Sequence, residues 1–138
     1  MSEYKNIASV FAFLFSLLLS ITSNAQDLSN LHFNEKALGN LVMGVTSENE
    51  GLKRSSIYYA GKYRVSELSN VILDEMKNET NPEMRCLMAM SLYKIKDADA
   101  MDYITKLARY ESDKKVRNMC RAITELYSLE KSEILANK

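Results

Sequence analysis

Apolar residues recur three and four positions apart along most of this chain, and polar clusters interrupt them at short intervals. That spacing lines one face of a helix, which turns once every 3.6 residues, so the chain reads as a run of amphipathic helices. Leu38, Leu41, Val42 and Val45 mark the first, and the polar stretch from Ser47 to Gly51 ends it. Leu52, Ser56, Tyr59, Ala60 and Tyr63 form the stripe of the second. Ser66 is placed to cap a third, which carries Leu68, Val71, Ile72, Leu73 and Met76. Asn81 before Pro82 starts a fourth, because Asn accepts from free backbone N–H groups and proline is pre-set for the first helical position. Its stripe is Met84, Met88, Leu92 and Ile95. Asp97 recaps the chain ahead of Ala100, Tyr103, Ile104 and Leu107. Ser112 and Asp113 open a further helix with Val116, Cys120, Ile123 and Tyr127, and Leu129 to Leu135 read as a last short amphipathic piece. No stretch sustains the two-residue alternation of a strand.

The pattern has a period. Leu52-Lys53, Met84-Arg85 and Val116-Arg117 stand 32 residues apart, each opening a helix after a turn signal. Between them, Val42, Leu73 and Ile104, and again Val45, Met76 and Leu107, match at 31 residues. The one-residue difference falls in turns, where length is cheap. Self-similarity at such a period marks stacked helical units, none of which can bury its apolar face alone. The stretch Met84-Arg85, Leu92 through Asp97, Ala100 and Ile104 through Leu107 resembles the HEAT and HEAT-like repeat. In that family a hydrophobic-Arg pair opens the first helix, a Leu and an aliphatic residue close it, an Asp marks the turn, and spaced aliphatics fill the second helix. Arg85 and Arg117 match the repeat's Arg, Lys53 matches it less closely, and Asp97 matches the turn Asp. The first unit departs from the pattern, with Gly61 inside its helix and Ser66 in place of the Asp. The resemblance spans residues 36–127. It implies an all-α fold, a short α-α superhelix of about three helix pairs that begins with half a unit, and it specifies fold rather than chemistry.

Ahead of the helices, residues 1–25 read as an export signal, with Lys5, an apolar run from Ile7 to Ile21, and the small residues Ser23 and Ala25 before Gln26. The run falls short of the roughly 20 apolar residues that a bilayer core requires, so no stable membrane anchor is expected after cleavage. Residues 26–35 read as a linker and residues 36–138 as the helical domain, expected in the periplasm or outside the cell. Eighteen basic and eighteen acidic residues balance, against the basic excess of a general nucleic-acid binder. The only histidine, His32, falls in the linker. No zinc-ligand spacing, phosphate-binding glycine loop or nucleophile motif occurs, so no catalytic residue, metal or cofactor is expected.

Four groups remain as candidates. Cys86 and Cys120 are the only cysteines. They differ by two positions in the repeat frame, about 200° round a helix, so two adjacent helices could point them together in a disulfide. The other expectation is a pair of buried thiols acting as small hydrophobes. Lys53, Arg54, Lys62 and Arg64 cluster in sequence, to be read either as a positive strip for an acidic partner or as repeat cations paired with neighbouring carboxylates. Tyr59 and Tyr63 fit the core stripe, whereas Tyr58 falls off it and stands at helical spacing from Arg54 and Lys62, as an exposed contact residue would. Met84, Met88, Met90, Met101 and Met119 read as adaptable core filler. The expected function is that of an exported, non-catalytic bacterial protein that binds another envelope or secreted protein, with Lys53, Arg54, Tyr58 and Lys62 as the contact residues. An enzymatic or accessory role, such as the resemblance extends to lyases, and self-association of a short helical stack are the alternatives.

Overall fold

The computed structural model describes residues 33–137; the export segment, most of the linker and His32 lie outside it. Side-chain caps set the helix starts. The amide oxygens of Asn34, Asn49 and Asn81 and the carboxylates of Asp97 and Asp113 accept backbone N–H bonds from the first helical turn at 2.8–3.0 Å. Each satisfies a donor that the helix leaves orphaned. The resulting elements are α1 (Glu35–Val45), α2 (Glu50–Lys62), α3 (Ser69–Asn78), α4 (Pro82–Ile95), α5 (Ala98–Tyr110) and α6 (Lys114–Ala136), with no strand among the described residues. The fold is all-α.

One helix start and one helix end differ from expectation. Ser66 caps nothing: Ser66–Leu68 form a single 3-10 turn, and α3 begins at Ser69 without a side-chain cap. Arg64 takes a left-handed conformation, φ 53°, which lets the Val65 N–H return to the Ala60 carbonyl at 2.9 Å and close α2. The tight reversal carries Val65 and Leu68 into the core, and that burial holds the turn. At the other end, α6 does not stop before Leu129 but runs unbroken to Ala136. No glycine or proline interrupts it, and the Ser128 and Ser132 hydroxyls donate to carbonyls three residues back within the same helix.

The helices form two layers. α2, α4 and α6 lie side by side, and α1, α3 and α5 pack against them, with the closest consecutive contacts between α1 and α2, α3 and α4, and α5 and α6. Glu83 with Lys115, 32 residues apart, ties the N-terminal ends of α4 and α6. Tyr93 and Lys96 bonding Glu130 tie the two helices again further along, so they run parallel and nearly in register. Between the layers lie Ile57, Leu68, Ile72, Met76, Met84, Met88, Leu92, Ile104, Val116, Cys120 and Ile123, all fully buried.

Periodicity misjudges the inward face most in α2, and in α1 it puts inward Val42, which is 37% exposed. Leu52 and Tyr59 are 52% and 44% exposed, while Ile57, Ala60 and Gly61 are buried. The cause is the closeness of the neighbours. A Cβ on Gly61 would lie 2.7 Å from the Ser91 Cα of α4, and one on Gly44 of α1 would lie 2.0 Å from the Ser56 hydroxyl of α2. These contacts admit small residues and turn the bulky ones outward. Because the atom facing Gly61 is backbone, α2 and α4 must separate to accept a methyl group. Gly61→Ala is expected to destabilise the fold by about 1–3 kcal/mol in urea unfolding, the usual range for overpacking. An unchanged midpoint would mean that the two helices do not approach this closely in solution.

Candidate functional site

The basic cluster separates once folded. Lys53 is turned inward and bonds Glu75 of α3 at 2.7 Å, leaving its side chain only 18% exposed. Its register partner Arg85 bonds Glu111 at 2.5 Å, and Arg117 bonds the backbone carbonyls of Glu111 and Ser112 at 2.5 and 3.0 Å. The three residues that open each 32-residue unit are thus internal ties between the layers. Arg54 pairs with Glu50 at 3.0 Å, one helical turn away in its own helix, and remains exposed. Lys62 has no ion pair among the described residues; its ammonium lies 5.6 Å from the centre of the Tyr63 ring, within cation–π range.

Tyr58 stands apart from these ties, half exposed on α2. With Arg54, Ser55, Tyr59 and Leu87 it lines an open cleft of about 330 Å³ between α2 and α4. On the other side of Tyr59, a cleft of about 430 Å³ is lined by Phe33, Ala37, Asn40, Leu41, Tyr59 and Tyr63. Tyr59 is the ridge between them. Its ring stacks on Tyr63 at 6.0 Å and meets Tyr58 edge-on at 5.4 Å, while Phe33 lies 5.9 Å from Tyr63. The four rings form a continuous row whose mutual contacts fix their orientation.

Periodicity missed how the surface continues. Moving 32 residues at a time from α2 to α4 to α6 gives the rows Ser55, Leu87, Met119; Tyr58, Met90, Ala122; and Lys62, Lys94, Leu126. Leu87, Met90 and Met119 are half-buried and Leu126 is exposed, so the layer carries apolar side chains outward at matched positions of three adjacent helices. Met84, Met88 and Met101 are buried in the core; Met90 and Met119 pack against that core and leave part of their surface on this outer face. A matched pair also ends the first two helices of the layer, since Arg64 and Lys96 both adopt positive φ, 53° and 63°. Lys62, Arg64, Lys94 and Lys96 therefore form one basic edge at the C-terminal ends of α2 and α4. Cations there complement the helix dipoles. Only Lys96 has an ion-pair partner among the described residues, Glu130 at 2.6 Å, and that bond, with the Tyr93 hydroxyl, holds the Glu130 carboxyl below its usual range.

Cys86 and Cys120 are free and buried; no disulfide joins them here. Burial pushes both thiols up, Cys120 to about 12, which keeps them protonated at neutral pH and poor as nucleophiles. Among the described residues no three His, Cys, Asp or Glu side chains are grouped to hold a metal ion. What the outer face offers is contact area: open clefts, aromatic rings and thioethers, bounded by cations. Comparison with protein-family models, curated proteins and solved structures finds no match to the chain.

Proposed function

We propose that this chain is a non-catalytic helical-repeat protein of the HEAT-like kind, exported to the cell envelope or beyond, which binds another protein through the outer face of α2, α4 and α6. The observation that carries this reading is Tyr58, half exposed beside Leu87, with Met90 at its matched position on α4, Met119 at the position matched to Leu87 on α6, and Lys62 and Lys94 at the edge. Tyrosine at the centre of a partly apolar face, ringed by polar groups, is the composition that dominates binding energy in protein interfaces. Helices stacked in register spread such a face over several units, as solenoid proteins use theirs. The export component rests on residues 1–25, and Lys53 leaves the contact set because Glu75 already engages it.

A photo-crosslinking residue placed at Tyr58 should capture one partner from the native envelope fraction, whereas the same residue at the exposed Asp102 of α5 should not. Tyr58→Ala should then weaken that partner's affinity by about tenfold or more, roughly 1.4 kcal/mol. Equal capture at both positions, or an affinity unmoved by Tyr58→Ala, would remove this face from the proposal. Lys53→Ala is expected to change stability and leave affinity as it was.

A further inference from the structure

The sixth helix outruns the body it packs on. Tyr127 stands 32 residues after Ile95, the last residue of α4, so Ser128 to Ala136 extend past that neighbour by about 13 Å at 1.5 Å per residue. Among the described residues, side chains of other helices hold this end only at Glu130. Leu129, Ile134 and Leu135 are 60%, 60% and 66% exposed. At 100° per residue they fall on three different sides of the helix, which suits an end inserted into a cleft better than one laid on a flat surface. So short a helical end is marginal in water without packing.

Charge distinguishes the candidate covers. From Ser128 to Ala136 the overhang holds two carboxylates, Glu133 and the Lys96-bonded Glu130, against the single cation Lys131. An anionic lipid surface would repel it. The basic edge of Lys62, Arg64, Lys94 and Lys96 would attract it, and beside that edge, where α2 ends and α1 begins, lies the apolar cleft of Phe33, Ala37, Leu41 and Tyr63. Within one chain the overhang does not reach this cleft: α6 packs on α4 and α5, and the cleft belongs to α1 and α2.

We propose that two copies of this chain associate through this edge, the protruding end of α6 in each copy seated in the Phe33–Tyr63 cleft of the other. Tail and cleft lie at the same edge of the domain, so a twofold axis allows both contacts at once and closes the assembly at a dimer. The proposal goes beyond the partner-binding reading and does not depend on Tyr58.

Two variants test it, the tail variant Ile134→Glu with Leu135→Glu, and the cleft variant Ala37→Arg. All three positions lie outside the buried core, and circular dichroism melts would verify that both variants fold. Light scattering over a dilution series of the protein, purified as its cells make it, should give twice the monomer mass at the concentrated end. The mass should fall toward that of the monomer on dilution or with added salt. Each variant alone should associate at least about tenfold more weakly. An equimolar mixture should associate more tightly than either variant, because the intact tail of one meets the intact cleft of the other. A wild-type chain monomeric throughout, a dimer indifferent to both variants, or a mixture no tighter than its components would each overturn the proposal. Co-flotation of the monomer with phosphatidylglycerol vesicles, lost in the tail variant, would overturn it in favour of a lipid surface.

Discussion

Replacing Leu92 by Ala should lower the free energy of unfolding by about 2–5 kcal/mol, the cost of a large-to-small change in a closed core. Leu92 is fully buried on α4, the helix that touches α2, α3, α5 and α6. Its neighbours have little freedom to collapse into the space. α2 is held against α4 where Gly61 meets Ser91, and α6 is tied to α4 by Glu83 with Lys115 and by Tyr93 and Lys96 with Glu130. A cavity lined by clamped helices stays open, which places the expected loss toward the upper part of that range. Leu107→Ala is the internal control. Periodicity puts Leu107 in the core as well, but the side chain is only half-buried at the far end of α5, so its removal should cost roughly 1–2 kcal/mol. Urea unfolding of both variants checks the order. Since a domain of this size has about 5–15 kcal/mol in all, a loss at Leu92 below about 0.5 kcal/mol would mean that the wrong face of α4 has been taken as inward.

Most of the core on α4 to α6 was legible in the sequence, because there each stripe combines a strong helical period with a capping residue. Asn81, Asp97 and Asp113 cap as their positions suggest, and Met84, Met88, Leu92, Ile104, Val116 and Ile123 are buried. The second helix shows what periodicity omits. Of the stripe Leu52, Ser56, Tyr59, Ala60 and Tyr63, the small Ser56 and Ala60 are buried but Leu52 and Tyr59 are exposed, and Ile57 and Gly61 from outside the stripe face inward, because α4 approaches too closely for a large side chain. Separation between helices is a tertiary quantity, and only the presence of Gly61 and Ser91 hinted at it. The contact residues fared unevenly for a similar reason. Tyr58 lies off the stripe and is exposed as expected, but Lys53 was grouped with its sequence neighbours when its 32-residue relatives Arg85 and Arg117 were better guides to its role. Leu87, Met90 and Met119 went unnoticed as a surface, since each taken singly resembles core filler; their meaning lies in sharing a register across three helices. The separate last piece expected from Leu129 to Leu135 is instead the continuation of α6, since no helix-breaking residue precedes it.

Glu111→Gln should cost about 2–3 kcal/mol at neutral pH and should remove this group's share of the loss of stability in acid. Glu111 lies in the connection between α5 and α6, its side chain only 7% exposed. It accepts from the Arg85 guanidinium at 2.5 Å, from the Asp113 backbone N–H at 3.0 Å and from the Ser112 hydroxyl at 3.3 Å. Arg85 above all holds its carboxyl at about 2, against 4.5 for an ordinary glutamate, and in return Glu111 raises the guanidinium. The unfolded chain therefore takes up this proton near pH 4.5, whereas the folded chain resists until about pH 2. Stability from this group is complete above the first value, falls as the pH drops between the two, and is gone below the second. A separation of that size, at 1.36 kcal/mol per pH unit and reduced for residual solvent, gives the figure of about 2–3 kcal/mol. The glutamine keeps the shape and can still accept a hydrogen bond but leaves Arg85, 15% exposed and with its Nε already unpartnered, without a counter-charge. Urea titrations of wild type and variant at several pH values would show the two stability curves far apart near pH 7 and converging toward pH 2. Parallel curves would mean that the Arg85–Glu111 pair is solvated in solution and that the layers are held at this corner by packing alone.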